Sequence, residues 1–232
     1  TGKADSIRVV SNTIKEKLVR ELNIQYESIL VLPVFTDISR FAGDLPKFDL
    51  RNKYQGFRNI ILFVGALSKT KNIDTLLRAA AVVAKKHPET LFLIVGKGKE
   101  EKRLKDLLEN LGLEQNVKFE GAVPYKLIPS YYHFCDLLVL PSRHEGWGRV
   151  VIEALASGKP VVLSDACGSA EFVTNGKCGF VFPVNRYDIL ADKIIYLLEN
   201  PELREEMGRR GRELVTETFC LLYTSPSPRD RG

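Results

Sequence analysis

No run of apolar residues in this 232-residue chain approaches the ~18 needed to cross a bilayer, so a membrane-spanning helix is not indicated. The sequence also lacks the patterns that mark common metal and redox sites. Its four cysteines, Cys135, Cys167, Cys178 and Cys220, form no CxxC pair and have no histidine at metal-ligand spacing. Scattered thiols of a reducing cytosol are the expected reading. There is no HExxH and no DxD; Asp44 and Asp49 do not form one. Histidine is scarce, with three in the chain. His87, before Pro88, is expected to be solvated, and His133 to lie on a half-buried helix face. His144 adjoins Glu145, where a ligand contact and a solvent-facing role are both open. No Ser/His/Asp order is supported. The net charge of +5 permits an anionic ligand or an acidic membrane surface, but is too diffuse to indicate nucleic acid.

What is present is a soluble globular composition, 44% hydrophobic and 27% charged. Residues 1–45 read as strand, helix and strand: apolar runs at 4–10 and 29–32, with Ser11 as N-cap of a helix over 12–22. Residues 35–46 show no period and read as a linker. Two strands and one helix cannot bury a core alone, so residues 1–45 are expected to be the tail of a domain, with an upstream part missing. From residue 46 to 219 a regular alternation follows. Apolar runs at 59–64, 91–95, 117–119, 137–140, 160–163 and 179–182 alternate with helical patterns at 73–86, 100–111, 127–134 and 150–157, then 187–199 and 202–217. Fully apolar strands alternating with amphipathic helices predict an α/β, Rossmann-like parallel sheet with helices on both faces. The period breaks at Cys220. The string from Cys220 to Asp230 matches, in one frame, the translation of a transposase-type sequencing adapter, so residues 220–232 are expected to be a non-native tail.

Ligands of such sheets bind at the carboxyl ends of the strands. Those ends carry Gly65-Ala66, Gly96-Lys97-Gly98, Gly121-Ala122-Val123 and Pro141-Ser142. After Pro141 comes Glu145-Gly146-Trp147-Gly148-Arg149-Val150, then an apolar helix with Glu153 in its second turn. A strand, a glycine turn and a helix start form an anion site, because free N–H groups and the helix dipole point outward. Glu145 and Glu153, eight positions apart, suit an extended ligand touched at two places; spacing alone equally allows two solvated surface carboxylates. Lys71, between the first strand of the alternation and its helix, is a natural point charge for a phosphate, or a plain loop lysine like Lys69. Gly96-Lys97-Gly98 fails the dinucleotide GxGxxG pattern at Glu101, which argues against a nicotinamide-dependent oxidoreductase and leaves a tight turn near the ligand edge.

Taken in order, these segments resemble a family. Glu145-Gly-Trp-Gly to Glu153, followed by Ala154-Leu-Ala-Ser-Gly-Lys-Pro-Val161, looks like the EX7E signature of the retaining glycosyltransferases of family 4. Phe63-Val-Gly65 with Lys71, Ile94-Val-Gly-Lys-Gly98, Val117-Lys-Phe-Glu-Gly121, Ala166 to Glu171 and Asn175 to Gly179 resemble that family's C-terminal domain. Residues 4–11 and 29–41 are similar to the last elements of its N-terminal domain. The resemblance implies the C-terminal, donor-binding half of a GT-B fold plus a remnant of the acceptor-side domain. It implies a nucleotide-diphosphate sugar as donor, an acceptor that is a lipid, a glycan or a small molecule, and no metal or other cofactor. Cytoplasmic location, with peripheral membrane association of the intact protein, is also compatible with it. By position, Glu153 would hold the ribose hydroxyls and Glu145 those of the donor sugar. Gly146, Trp147, Gly148, Arg149 and Val150 would offer backbone N–H groups to sugar and diphosphate. Lys71 would pair with the diphosphate, and the turns at Gly65, Gly96 and Val123 would border the nucleotide. Lys71 and Glu145 are thus the expected catalytic pair. The family often has Arg directly after the glycine of the first strand's end; here that position is Ala66, which leaves the phosphates to Lys71 with help from Lys69. Ala66 also keeps open a second class, a nucleotide-binding relative without transfer activity.

Overall fold

The computed structural model describes residues 6–32, 36–43, 50 and 52–224. Two sheets are present among them. The smaller pairs β1 (Ile7–Val9) with β2 (Ile29–Val31), in parallel, Ile7 opposite Ile29. Between them runs α1 (Asn12–Leu22), whose first turn is held by Ser11: its Oγ accepts from the Ile14 N–H at 3.3 Å. Asn23 ends the helix in the left-handed region, φ 51°.

Part of the expected linker is ordered. Asp37 accepts from the backbone N–H of Ser39 at 3.3 Å and from its hydroxyl at 2.6 Å, which starts α2 (Ser39–Ala42). One helical turn is too short to show a hydrophobic period, so pattern alone could not find it. Its Phe41 is fully buried and meets Tyr132 edge-on. Residues 33–35, 44–49 and 51 lie outside the described residues, as do 1–5 and 225–232.

The larger sheet has six parallel strands: β3 (Asn59–Val64), β4 (Thr90–Val95), β5 (Val117–Gly121), β6 (Leu137–Leu140), β7 (Val161–Ser164) and β8 (Gly179–Phe182). Their order is β5-β4-β3-β6-β7-β8, and the pairings β3 to β4, β3 to β6, β6 to β7 and β7 to β8 are in parallel register. Helices α3 (Ile73–Lys86), α4 (Glu101–Asn110), α5 (Ile128–Phe134), α6 (Arg149–Ala156), α7 (Ala170–Asn175), α8 (Tyr187–Glu199) and α9 (Pro201–Thr224) connect and follow the strands. α3 packs on α4 and α8, whereas α6 packs on α5 and α9, giving one helical layer on each face. The central strands are apolar on both sides because both are covered: Leu62, Phe63, Leu93, Leu138, Val139 and Val162 are fully buried. Each such side chain contributes about 1.5–3 kcal/mol of transfer free energy. The fold is therefore the doubly covered α/β sheet expected from the alternation.

Two boundaries differ from the sequence reading. The six-residue α7 falls where no helix was expected, for the same reason as α2. The backbone helix of α9 continues to Thr224, beyond the expected break at Cys220; the remainder of the 220–232 segment lies outside the described residues.

Candidate functional site

Strand order fixes where a ligand can enter. The chain moves from β3 outward through β4 to β5, then returns to place β6 on the other side of β3. The loops leaving β3 and β6 therefore diverge and open a crevice at the carboxyl edge. Lys71 leaves β3, Glu145 leaves β6, and the two meet there.

Lys71 closes a 3-10 turn, Lys69–Lys71. Asn72 then reverses the chain with φ 54°, and its amide donates to Pro141 O at 3.1 Å and to Asn185 Oδ1 at 3.2 Å. Arg143 N–H donates to Thr70 O at 2.8 Å. These bonds tie the β3 and β6 loops together and bring the Lys71 ammonium onto the Glu145 carboxylate as a direct ion pair. The Lys71 stem passes over Gly65: a Cβ there would lie 3.7 Å from Lys71 Cε. The side chains are 22% and 18% exposed, so the pair is shielded yet reachable.

Glu145 is also set by its backbone. Its N–H donates to Ala166 O at 3.3 Å, and its C=O accepts from Gly168 N–H at 2.8 Å, a parallel bridge that extends the β6–β7 pairing into the loop. Gly146 is exposed at the chain's turn, facing Val10 and Ile14 of the small sheet unit. The Trp147 ring is buried against Phe172, with centroids 5.8 Å apart, so this residue can offer a ligand its backbone but not its indole face. Gly148 caps α6 with φ 76°, and a Cβ there would crowd Leu140 at 3.1 Å and Glu145 Cγ at 3.3 Å. A side chain would therefore push Glu145 out of place. The first-turn N–H groups of α6, at Arg149 and Val150, have no acceptor within the helix.

The other strand ends line up beside this pair. Gly65 N–H donates to Val95 O at 2.9 Å, and Gly96 N–H to Gly121 O at 2.8 Å. At Gly96, φ is 144° and a Cβ would sit 1.8 Å from Gly65 O, so backbone meets backbone along this ridge. Val123, half-buried, lies just beyond the end of β5.

Glu153 departs from the reading of a solvated carboxylate. It is 4% exposed, on the inner side of α6. Its Oε2 accepts from Tyr132 Oη at 2.9 Å and its Oε1 from Tyr125 Oη at 3.2 Å, and Arg149 stands 3.9 Å away. Burial raises its pKa above the ordinary carboxylate value, although both hydroxyls and Arg149 act the other way. Burial likewise raises both tyrosines, Tyr132 most strongly. These two tyrosines were not among the expected site residues. Tyr132 belongs to the aromatic run 131–134, whose period marks a buried face; its hydroxyl, needing a partner once buried, was the available signal.

Of the histidines, His144 is exposed and His133 half-buried, as expected for the latter. His87 is not solvated: its side chain is 18% exposed, with Glu89 at 3.7 Å and Glu199 at 3.4 Å. The cysteines Cys135, Cys167 and Cys178 are buried free thiols. Among the described residues no helix is long and apolar enough to cross a membrane.

A lysine, a loop carboxylate and a helix start thus meet at the switch point of a parallel sheet, where α/β domains of this kind take their ligands. Residues 48–214 match the family model described as glycosyl transferases group 1, and the chain belongs to that family. It is 28% identical to an alpha-D-kanosaminyltransferase of Streptomyces kanamyceticus over 94% of this chain and 58% of that protein. It is 31% identical to a GDP-mannose-dependent alpha-(1-6)-phosphatidylinositol monomannoside mannosyltransferase of Mycobacterium tuberculosis, over 82% of this chain and 51% of that one. Among solved structures, Anabaena HepE in complex with UDP superposes with a TM-score of 0.84 at 25% identity, covering 93% of this chain and 60% of that chain. The fold is that of GT-B glycosyltransferase domains. The chain thus spans a little over half the length of these relatives.

Proposed function

We propose that residues 46–219 bind a nucleotide-diphosphate sugar for a retaining glycosyl transfer, and that residues 1–45 are the end of the acceptor-side domain. The observation that carries this is the Lys71–Glu145 ion pair at the β3/β6 crevice, beside the start of α6. A diphosphate entering there exchanges partners with the pair. Lys71 moves to the phosphate oxygens, and Glu145 is released to accept hydrogen bonds from the donor sugar's hydroxyls. Cleavage of the sugar–phosphate bond builds negative charge on the leaving diphosphate. Lys71 and the N–H groups of Gly148, Arg149 and Val150, already in place, stabilise that charge as it develops. Glu153 accepts from the ribose hydroxyls, and the ridge from Gly65 through Gly96 to Val123 borders the base.

Other proteins of the family support the ligand class: HepE has been solved with UDP-glucose. Acceptors of three kinds remain in view, a lipid, a glycan or a small molecule. The positive net charge suits an acceptor presented at an anionic membrane surface. Buried free thiols fit a cytoplasmic setting.

A second reading, a nucleotide-binding relative without transfer activity, is favoured by Ala66, where a second cation would otherwise face the phosphates. Transfer kinetics on a longer protein that carries the acceptor side separate the two. Lys71→Ala and Glu145→Gln are expected to lower turnover by about 10²–10³ with the product keeping the donor's anomeric configuration. Unchanged turnover in both variants would overturn the site assignment, and no turnover in the parent would favour the second reading.

A further inference from the structure

The two oxygens of Glu153 are held unequally. Tyr132, which donates to Oε2, is fully buried on α5 and packs edge-on against Phe41 at 5.7 Å. Tyr125, which donates to Oε1 over the longer distance of 3.2 Å, is 44% exposed and rides on the 3-10 turn Tyr125–Leu127 that begins two residues past Val123. Its ring touches the rest of the protein at the edge of Phe41, 6.1 Å between centroids, and under Arg40, 5.9 Å from the guanidinium. Its hydroxyl also accepts from Arg149 at 3.4 Å. Glu153 as a whole is 4% exposed, and Tyr125 occupies a hydrogen-bonding place on Oε1 that an incoming hydroxyl would otherwise take.

We propose that Tyr125 is a displaceable latch: in the ligand-free protein its phenol oxygen fills the place of a ribose hydroxyl on Glu153, and donor binding exchanges the one for the other. This rests on the reading of Glu153 as the ribose-binding carboxylate. Tyr132 stays and keeps the carboxylate aimed, whereas Tyr125 swings outward on its exposed turn. The exchange conserves the hydrogen bond count at Oε1, so the buried carboxylate is never left unpartnered. It also makes the nucleotide compete with a group of the protein itself. A ligand without ribose hydroxyls has nothing to offer Oε1 and leaves the latch closed.

The test is calorimetry on the full chain with UDP, GDP and ADP, followed by the 2′,3′-dideoxy counterpart of whichever binds. Tyr125→Phe removes the competing hydroxyl and keeps the ring. It is expected to tighten the ribonucleotide by about tenfold, the equivalent of one hydrogen bond to a charged group, and to leave the dideoxy ligand unchanged. Tyr125→Leu should tighten in the same direction, with thermal melts of both variants verifying the fold. Tyr132→Phe should loosen the ribonucleotide. If Tyr125→Phe weakens the ribonucleotide or leaves it unchanged while Glu153→Gln weakens it, the latch is overturned and the ribose site stands. If Glu153→Gln has no effect and the dideoxy ligand binds as well as the parent, the ribose reading fails and the latch with it. Absence of binding by all three nucleotides overturns both.

Discussion

Glu153 has a carboxylate where an apolar helix face should be. Burial raises its pKa above the ordinary carboxylate value, against the opposing pull of the two tyrosine hydroxyls and Arg149. A raised value means the stabilising contribution is present below the ordinary value of 4.5 and is lost as pH rises through the folded one. At neutral pH the charged group thus costs stability. Glu153→Gln is expected to raise the melting temperature of the ligand-free chain at pH 8, a gain of about 1 kcal/mol being worth about 2–4 °C for a domain of this size. The gain should shrink toward pH 4, and a loss of stability at pH 8 would contradict the burial argument. At this scale the sequence was half legible. Glu145 and Lys71 could be placed at one sheet edge because each follows an apolar strand, Glu145 with two glycines close behind it. The Glu153 environment could not, since Tyr125 and Tyr132 reach it only after the β5-to-β6 crossover folds α5 beside α6.

The elements at the carboxyl edge have little freedom. Gly96 carries the ridge: its backbone lies against Gly65, and no side chain fits. Gly96→Ala is expected to destabilise the domain by at least about 3 kcal/mol in urea, since both the φ of 144° and the 1.8 Å approach oppose a Cβ. Strand β5 is anchored differently. Its Glu120 accepts from Lys53 at 2.7 Å, from Tyr131 at 2.8 Å and from Tyr54, tying residues 53–54 to the sheet edge. Burial works to raise the Glu120 pKa, but the three hydrogen bonds outweigh it and the net shift is downward. The stability it supplies is therefore present above pH 4.5 and lost as pH falls through the folded value. Glu120→Gln should cost about 1–3 kcal/mol at pH 7 and progressively less below pH 4, measured by chemical denaturation. A pH-independent cost would contradict the ion-pair account. Strands and long helices were readable because burial on both faces writes itself as apolar runs. α2 and α7 were not, because a helix of four or six residues has no period to read.

Across the whole molecule, one feature joins the small sheet to the loop that carries Glu145. Val10 and Ile14 reach Gly146, and a cavity of about 500 Å³ lies between Ser11, Asn12 and Val31 on one side and Trp147 and Phe172 on the other. The Lys71–Glu145 crevice, which we propose takes the donor, is built from the large sheet, and Val10 and Ile14 face its Gly146 from the small one. An acceptor needs a second wall, which two strands and one helix do not supply. The chain is accordingly expected to bind a donor nucleotide but to show no robust transfer to any acceptor; sustained turnover by residues 1–219 alone would contradict that division of labour. The ordered alternation of strands and helices made the domain legible from sequence, whereas the junction was not, because its contacts pair residues more than a hundred positions apart.

The most direct measurement is calorimetric titration of the chain with UDP, GDP and ADP and with their monophosphates, alongside Lys71→Ala. If the crevice binds a nucleotide diphosphate through Lys71, one diphosphate binds about tenfold or more tighter than its monophosphate, a difference of about 1.4 kcal/mol, and Lys71→Ala erases that preference. Binding of the diphosphate by Lys71→Ala with undiminished affinity, or no binding of any nucleotide by the parent chain, would contradict the account.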